Sequence, residues 1–113
     1  MIYMDNAATT RLSSRALEAM MPYLTEQYAN PAGTYSFTNA SNAAMEKARK
    51  QVADVIGAKS AEIFFTSGGT ESDNWALKGV MRANEKKGRH LIISAIEHHA
   101  ILHSAKALER EGF

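Results

Sequence analysis

FFTSGGTESDNWALKG, residues 64–79, decides how the rest of the chain is read. Phe64, Phe65 and Thr66 are strand formers. Gly68 and Gly69 interrupt them, and from Thr70 onward the residues suit a helix. A strand that passes through glycines into a helix is a ready anion site. The helix start offers unpaired amides and a partial positive charge, and glycines let the backbone come close to the ligand. A tight turn capped by Thr70, with no ligand at all, fits the same residues. The stretch is neither a Walker A loop nor GxGxxG, because the required lysine and glycine spacing are missing.

Outward from this junction the pattern is β-α-β-α. Residues 62–66 (EIFFT) read as a strand and residues 70–87 as a helix stopped by Gly88. Residues 91–95 (LIISA) read as a second strand, and residues 99–111 as a helix stopped by Gly112. Helices of this length act as crossovers between parallel strands, so the expected fold class is α/β, with a mostly parallel sheet and flanking helices. Toward the amino terminus, residues 2–4 (IYM) read as a short strand and DNAATT as a turn. SSRALEAMMPYLTEQY reads as a helix capped by Ser13 or Ser14, and Pro22 is expected to end or kink it. After the ANPAG loop, residues 39–56 read as a long helix. Its inner stripe is Ala44, Ala48, Val52, Val55 and Ile56, with Gly57 as its stop. Two strands are too few for an independent sheet, and the chain stops where another would begin. The sequence therefore reads as the front part of a larger protein.

A second cluster, Glu97, His98 and His99, follows the second strand. In a parallel sheet it falls on the same carboxyl edge as the glycine turn, where open α/β sheets bind ligands. Three uses are open: a metal held by His99 and His103, surface or helix-capping histidines, or an imidazole laid against a ligand ring. HExxH is absent.

Composition excludes several classes. The 113 residues carry 13 basic and 12 acidic side chains, a net charge of +1, so there is no electrostatic footprint for nucleic acid or an anionic membrane. Hydrophobic residues make up 45%, which suits a globular chain, but no apolar run spans a bilayer. No signal peptide is visible in MIYMDNAATT. Cysteine is absent, so disulfides and thiolate zinc sites are excluded, and a cytoplasmic location is expected.

DNAATT, NPA, EIFFTSGGTESDNWALKG and IEHHAIL, in that order, resemble the amino-terminal part of the cysteine desulfurases. These are class V aminotransferases and fold-type I pyridoxal phosphate enzymes. The likeness runs from Tyr3 to Phe113; the family commonly shows FTSGATES-N where this chain has FTSGGTESDN. It implies pyridoxal 5′-phosphate as cofactor, its phosphate on Gly69 and Thr70. It implies that His98 stacks on the cofactor ring and acts catalytically in proton transfer, and that Asn6, Ala7 and Ala8 line the substrate entrance. No metal is implied. By the same resemblance, residues 1–13 lie near a small domain and the active-site entrance, and residues 14–113 begin the cofactor-binding large domain. L-cysteine would be the substrate, a sulfur-acceptor protein the partner, and a homodimer the working form. The strands at 62–66 and 91–95 would not pair with each other, because later strands would lie between them. The family pattern departs at Tyr35 and Thr38, where histidine and glycine are usual, so residues 32–38 take no catalytic role. The family's cofactor-tethering lysine and sulfur-carrying cysteine have no counterpart here, so this chain by itself is expected to be inactive. Selenocysteine lyase, another class V aminotransferase, and a non-catalytic binding or dimerisation module are the alternatives.

Overall fold

The computed structural model describes residues 2–113. By contacts the chain divides into two compact units, Met1–Ile63 and Phe64–Phe113, each taken by itself below.

In the first unit, α1 (Ser14–Thr25) starts at Ser13, whose hydroxyl accepts the Ala16 amide at 3.1 Å. Of the two effects expected of Pro22, an end to the helix does not occur; α1 runs on to Thr25. Proline costs a helix one amide donor and crowds the turn before it. The carbonyl four residues before it, that of Glu18, loses that donor on an exposed helix where water can serve it, since α1 has no buried residue.

α2 (Asn39–Ile56) is entered through a short 3-10 turn at Ser36–Thr38. The loop before it is tied down residue by residue. Asn30 accepts the Ala32 amide on its side chain and the Gly33 amide on its carbonyl, both at 3.0 Å. Ser41 donates to the Gln27 carbonyl at 2.9 Å, and Asn42 donates to that of Pro31 at 3.3 Å. Thr38 is 1% exposed; its hydroxyl sits 2.9 Å from the Gly33 carbonyl and 2.7 Å from that of Tyr35. A Cβ on Gly33 would come within 2.5 Å of the Thr38 methyl, so only glycine fits there. Thr38, one of the residues that leave the family pattern, thus does structural work. α2 ends as expected at Gly57, with φ 69°. Its anticipated inner stripe is covered only in part, Ala44 and Ala48 being half-buried. Val52, Val55 and Ile56 are exposed, and the buried positions are Ser41 and Ala53. Among the described residues of its unit, the short turns Ser36–Thr38 and Ser60–Glu62 pack on α2, and α1 lines a cleft with it at Ala44 and Ala48, which leaves the far end of its apolar face uncovered.

In the second unit, α3 (Gly69–Ala83) and α4 (His99–Arg110) pack on each other. Met81, Ala100, Ser104 and Leu108 are buried between them, Leu108 completely. α3 stops four residues before Lys87, the expected end. Asn84 stops it by turning its side-chain amide back onto the Val80 carbonyl at 2.9 Å, and Lys87 and Gly88 close on the Asn84 carbonyl. α4 ends in a Schellman motif: the Phe113 amide reaches the Leu108 carbonyl at 3.1 Å and the Gly112 amide that of Glu109 at 2.9 Å, with Gly112 at φ 87°.

The expected sheet is not formed. Among the described residues there is no strand at 2–4, 62–66 or 91–95. Residues 60–62 coil into a 3-10 turn, and the Ile63 carbonyl accepts from Arg49 Nε at 3.0 Å. Residues 91–93 keep the alternation of a strand: Leu91 and Ile93 are half-buried and Ile92 is 82% exposed. A strand exists only through its neighbours' hydrogen bonds, and no neighbouring strand lies within the described residues.

Candidate functional site

The glycine turn and the histidine cluster come together in the second unit. Thr70, Asn74 and Lys78, on one face of α3, line a cleft of about 350 Å³ opposite His98, His99, His103 and Ser104 of α4. On an α-helix, residues four apart share a face.

The turn leading into α3 is held by its own side chains. The Ser67 amide and hydroxyl both donate to Glu71 Oε2, at 2.6 and 2.7 Å. These two donors hold the Glu71 carboxyl below the usual carboxylate range. The Thr66 hydroxyl lies 2.7 Å from that of Ser72 and 3.1 Å from the Gly68 carbonyl. The first helical bond runs from the Ser72 amide to the Gly68 carbonyl at 3.1 Å, and no side chain caps the helix from Gly68. The first amides of α3 therefore point out of the helix start with no side-chain cap upon them. A Cβ on Gly69 would meet nothing within 4 Å, so the alanine of the FTSGATES-N pattern fits this backbone.

His98 is the N-cap of α4. Its Nδ1 accepts the Ala100 amide at 3.1 Å. In the neutral ring this assigns the proton to Nε2, the nitrogen left for a ligand. The capping alternative is thus realised, and it also fixes how the ring is turned. His99 stands edge-on to His98, with centroids 6.1 Å apart, and to His103 at 5.4 Å. No group of three or more His, Cys, Asp or Glu among the described residues is arranged to hold a metal. Asn6, Ala7 and Ala8 form an exposed turn in the first unit. The Ala8 amide closes it on the Asp5 carbonyl at 3.1 Å, and the Tyr3 hydroxyl latches it to the carbonyls of Asp5 and Thr9 at 2.9 and 3.1 Å.

Three residues of this region escaped the sequence reading. Asn74 and Lys78 follow Thr70 by four and eight residues, so helical spacing alone was enough to find them. Ser104 is 2% exposed, and its hydroxyl has no partner. Burial of that kind leaves no mark in a single sequence.

The aminotransferase class-V family profile matches residues 2–113, and the chain belongs to that family. Among its curated relatives, it is 54% identical to cysteine desulfurase IscS of Methanosarcina thermophila, over 99% of this chain and 28% of that protein. It is 50% identical to the cysteine desulfurase of Rattus norvegicus, over 99% of this chain and 25% of that one. Its backbone superposes on a solved NifS-like protein with a TM-score of 0.88 and 46% identity, over 96% of this chain and 30% of that chain. A structure titled SspA in complex with cysteine matches with the same TM-score and 38% identity, over 98% and 32%. The chain thus spans under a third of the length of these relatives. The likeness to NifS-like proteins is consistent with part of a fold-type I, pyridoxal phosphate-dependent enzyme. Among the described residues no helix is long and apolar enough to cross a membrane.

Proposed function

We propose that residues 2–113 are the amino-terminal part of a pyridoxal 5′-phosphate-dependent cysteine desulfurase. Such an enzyme converts L-cysteine to L-alanine and passes the sulfur to an enzyme cysteine and then to an acceptor protein. The observation that carries this reading is the convergence of Thr70 and His98 on one cleft, beside a helix start with no side-chain cap. The donor set there fits the cofactor. Backbone amides at Gly69 and Thr70 and the Thr70 hydroxyl suit a phosphate, and the His98 ring suits an aromatic face. When bound, the cofactor would supply an electron sink for negative charge at the substrate Cα. Thr70 would hold the phosphate end. His98, its Nδ1 committed to the Ala100 amide, would use Nε2 to hold or pass on a proton. Asn6, Ala7 and Ala8 would line the substrate entrance, with residues 1–13 near the small domain and residues 14–113 opening the large one. In that setting, segments 62–66 and 91–95 become strands of a mostly parallel sheet, separated by strands from elsewhere in the protein. A cytoplasmic homodimer completes the reading.

Two variants of the full-length gene product test it. Thr70→Ala removes a charge-assisted hydrogen bond worth about 1.5–3 kcal/mol, so cofactor affinity should fall roughly 10- to 100-fold. His98→Ala should lower sulfide release while much of the cofactor stays bound. Cofactor absorbance and sulfide production are measured side by side. Unchanged cofactor affinity in Thr70→Ala would sink the phosphate assignment.

A further inference from the structure

We propose that Asn74 and Lys78 are positioning residues for the anion site at Thr70, and that Lys78 acts through Asn74. The inference rests on the pyridoxal phosphate reading above. Asn74 Nδ2 donates to the Thr70 carbonyl at 2.9 Å, and Lys78 Nζ donates to Asn74 Oδ1 at 2.6 Å. All three residues line the cleft that His98 also lines, and both Asn74 and Lys78 are half-buried.

The direction of the chain is forced by chemistry. An ammonium only donates, so Asn74 must show it the amide oxygen. The amide nitrogen is then the atom left for the Thr70 carbonyl. Without Lys78 the amide is free to turn over and set its oxygen against that carbonyl, oxygen to oxygen. Lys78 therefore selects which way Asn74 points, and Asn74 holds the first turn of α3 from within the cleft. Glu71 also holds this turn, accepting from the Ser67 amide and hydroxyl. With no side chain capping the helix from Gly68, these contacts and the Thr66 hydroxyl on Ser72 and Gly68 hold the turn that carries Thr70.

The test strips the full-length gene product of cofactor and measures equilibrium affinity for pyridoxal 5′-phosphate and for pyridoxal, which lacks the phosphate. Trp75, next to Asn74, gives a fluorescence signal, and circular dichroism monitors folding. Asn74→Ala and Lys78→Met should each weaken pyridoxal 5′-phosphate binding about 3- to 10-fold, as loss of one ordinary hydrogen bond does, and leave pyridoxal binding unchanged. The double variant should be no worse than Asn74→Ala, because the two act in series. Lys78→Arg keeps a cationic donor and should restore most of the loss. Lys78→Met binding the phosphate form as wild type does would overturn the inference, as would equal losses for both ligands. An additive double variant would overturn the route through Asn74. A wild-type protein that does not prefer the phosphate form overturns the functional reading and this inference together. Wild-type preference retained in every variant overturns the inference alone.

Discussion

At the scale of residues, Glu71 shows how charge is spent beside the anion site. Its carboxylate is a helix-start anion, but it faces back onto the Ser67 amide and hydroxyl instead of capping α3 from Gly68. The two donors favour the ionised form, so the folded carboxyl titrates below its unfolded value. The sign follows from linkage. The contribution to stability is complete above the usual carboxylate range and is lost as pH falls through the lowered folded value. On acidification the Ser67 amide should lose its protection from exchange in a single titration, and Glu71→Gln should remove that step from the profile. A Ser67 amide indifferent to pH down to the acid unfolding transition would contradict this. The sequence placed a turn at these glycines but expected Thr70 to cap it; Gly68 is the N-cap instead, and Ser67 and Glu71 tie the turn. His98 was legible as a ligand candidate, and helix capping was one of the uses open to the cluster, but that His98 caps Ala100 through Nδ1 needed the geometry.

At the scale of elements, the clasp at the end of α4 depends on one guanidinium. Arg89 Nε donates to the Gly112 carbonyl at 2.9 Å and Nη2 to that of Glu111 at 2.7 Å; Nη1 pairs with Glu85. The group also lies over the Phe113 ring, 4.6 Å from its centroid. Beside it, Arg82 grips the Glu111 carboxylate with two bonds, at 3.1 and 2.7 Å, holding that carboxyl below the usual range. Together they tie the end of α3, and the turn after it, to the end of α4. Arg89→Met should cost about 1–2 kcal/mol and should expose the Gly112 and Phe113 amides to rapid exchange. Arg89→Lys should recover little, since an ammonium cannot reach two carbonyls and a ring as a planar fork does. Full recovery in the lysine variant would show that charge alone matters. Gly112 and the helix before it were readable in the sequence as a stop signal; Arg89, more than twenty residues earlier, was not.

At the scale of the whole molecule, the described residues bury few large apolar side chains. Ile2, Val55, Ile92 and Ile96 are each more than 80% exposed. Exposed apolar surface of this kind marks faces that pack on something else. A polypeptide of these 113 residues, purified alone with pyridoxal 5′-phosphate, L-cysteine and a reductant, should release no more sulfide than free cofactor does. The 113 residues include no cysteine to carry sulfur. Sulfide released catalytically above that background would show that the carrier residue is dispensable. The same polypeptide should show helical circular dichroism with a shallow, weakly cooperative thermal transition, because its helices are local and its sheet segments lack partners.

The sequence by itself determined the helices and the order of the ligand-bearing turns. Ser13, Gly57 and Gly112 mark helix ends through bonds that span a few residues, and FTSGGTESDN with IEHHAIL sufficed to point to the family. It could not determine whether 62–66 and 91–95 are strands, because a strand is defined by hydrogen bonds to a neighbour and not by its own residues. Only the tertiary structure decided that Thr70 and His98 share one cleft, that Thr38 closes on Gly33, and that Val52, Val55 and Ile56 stay uncovered. Each of these depends on which surfaces meet, and that is a property of packing between elements distant along the chain.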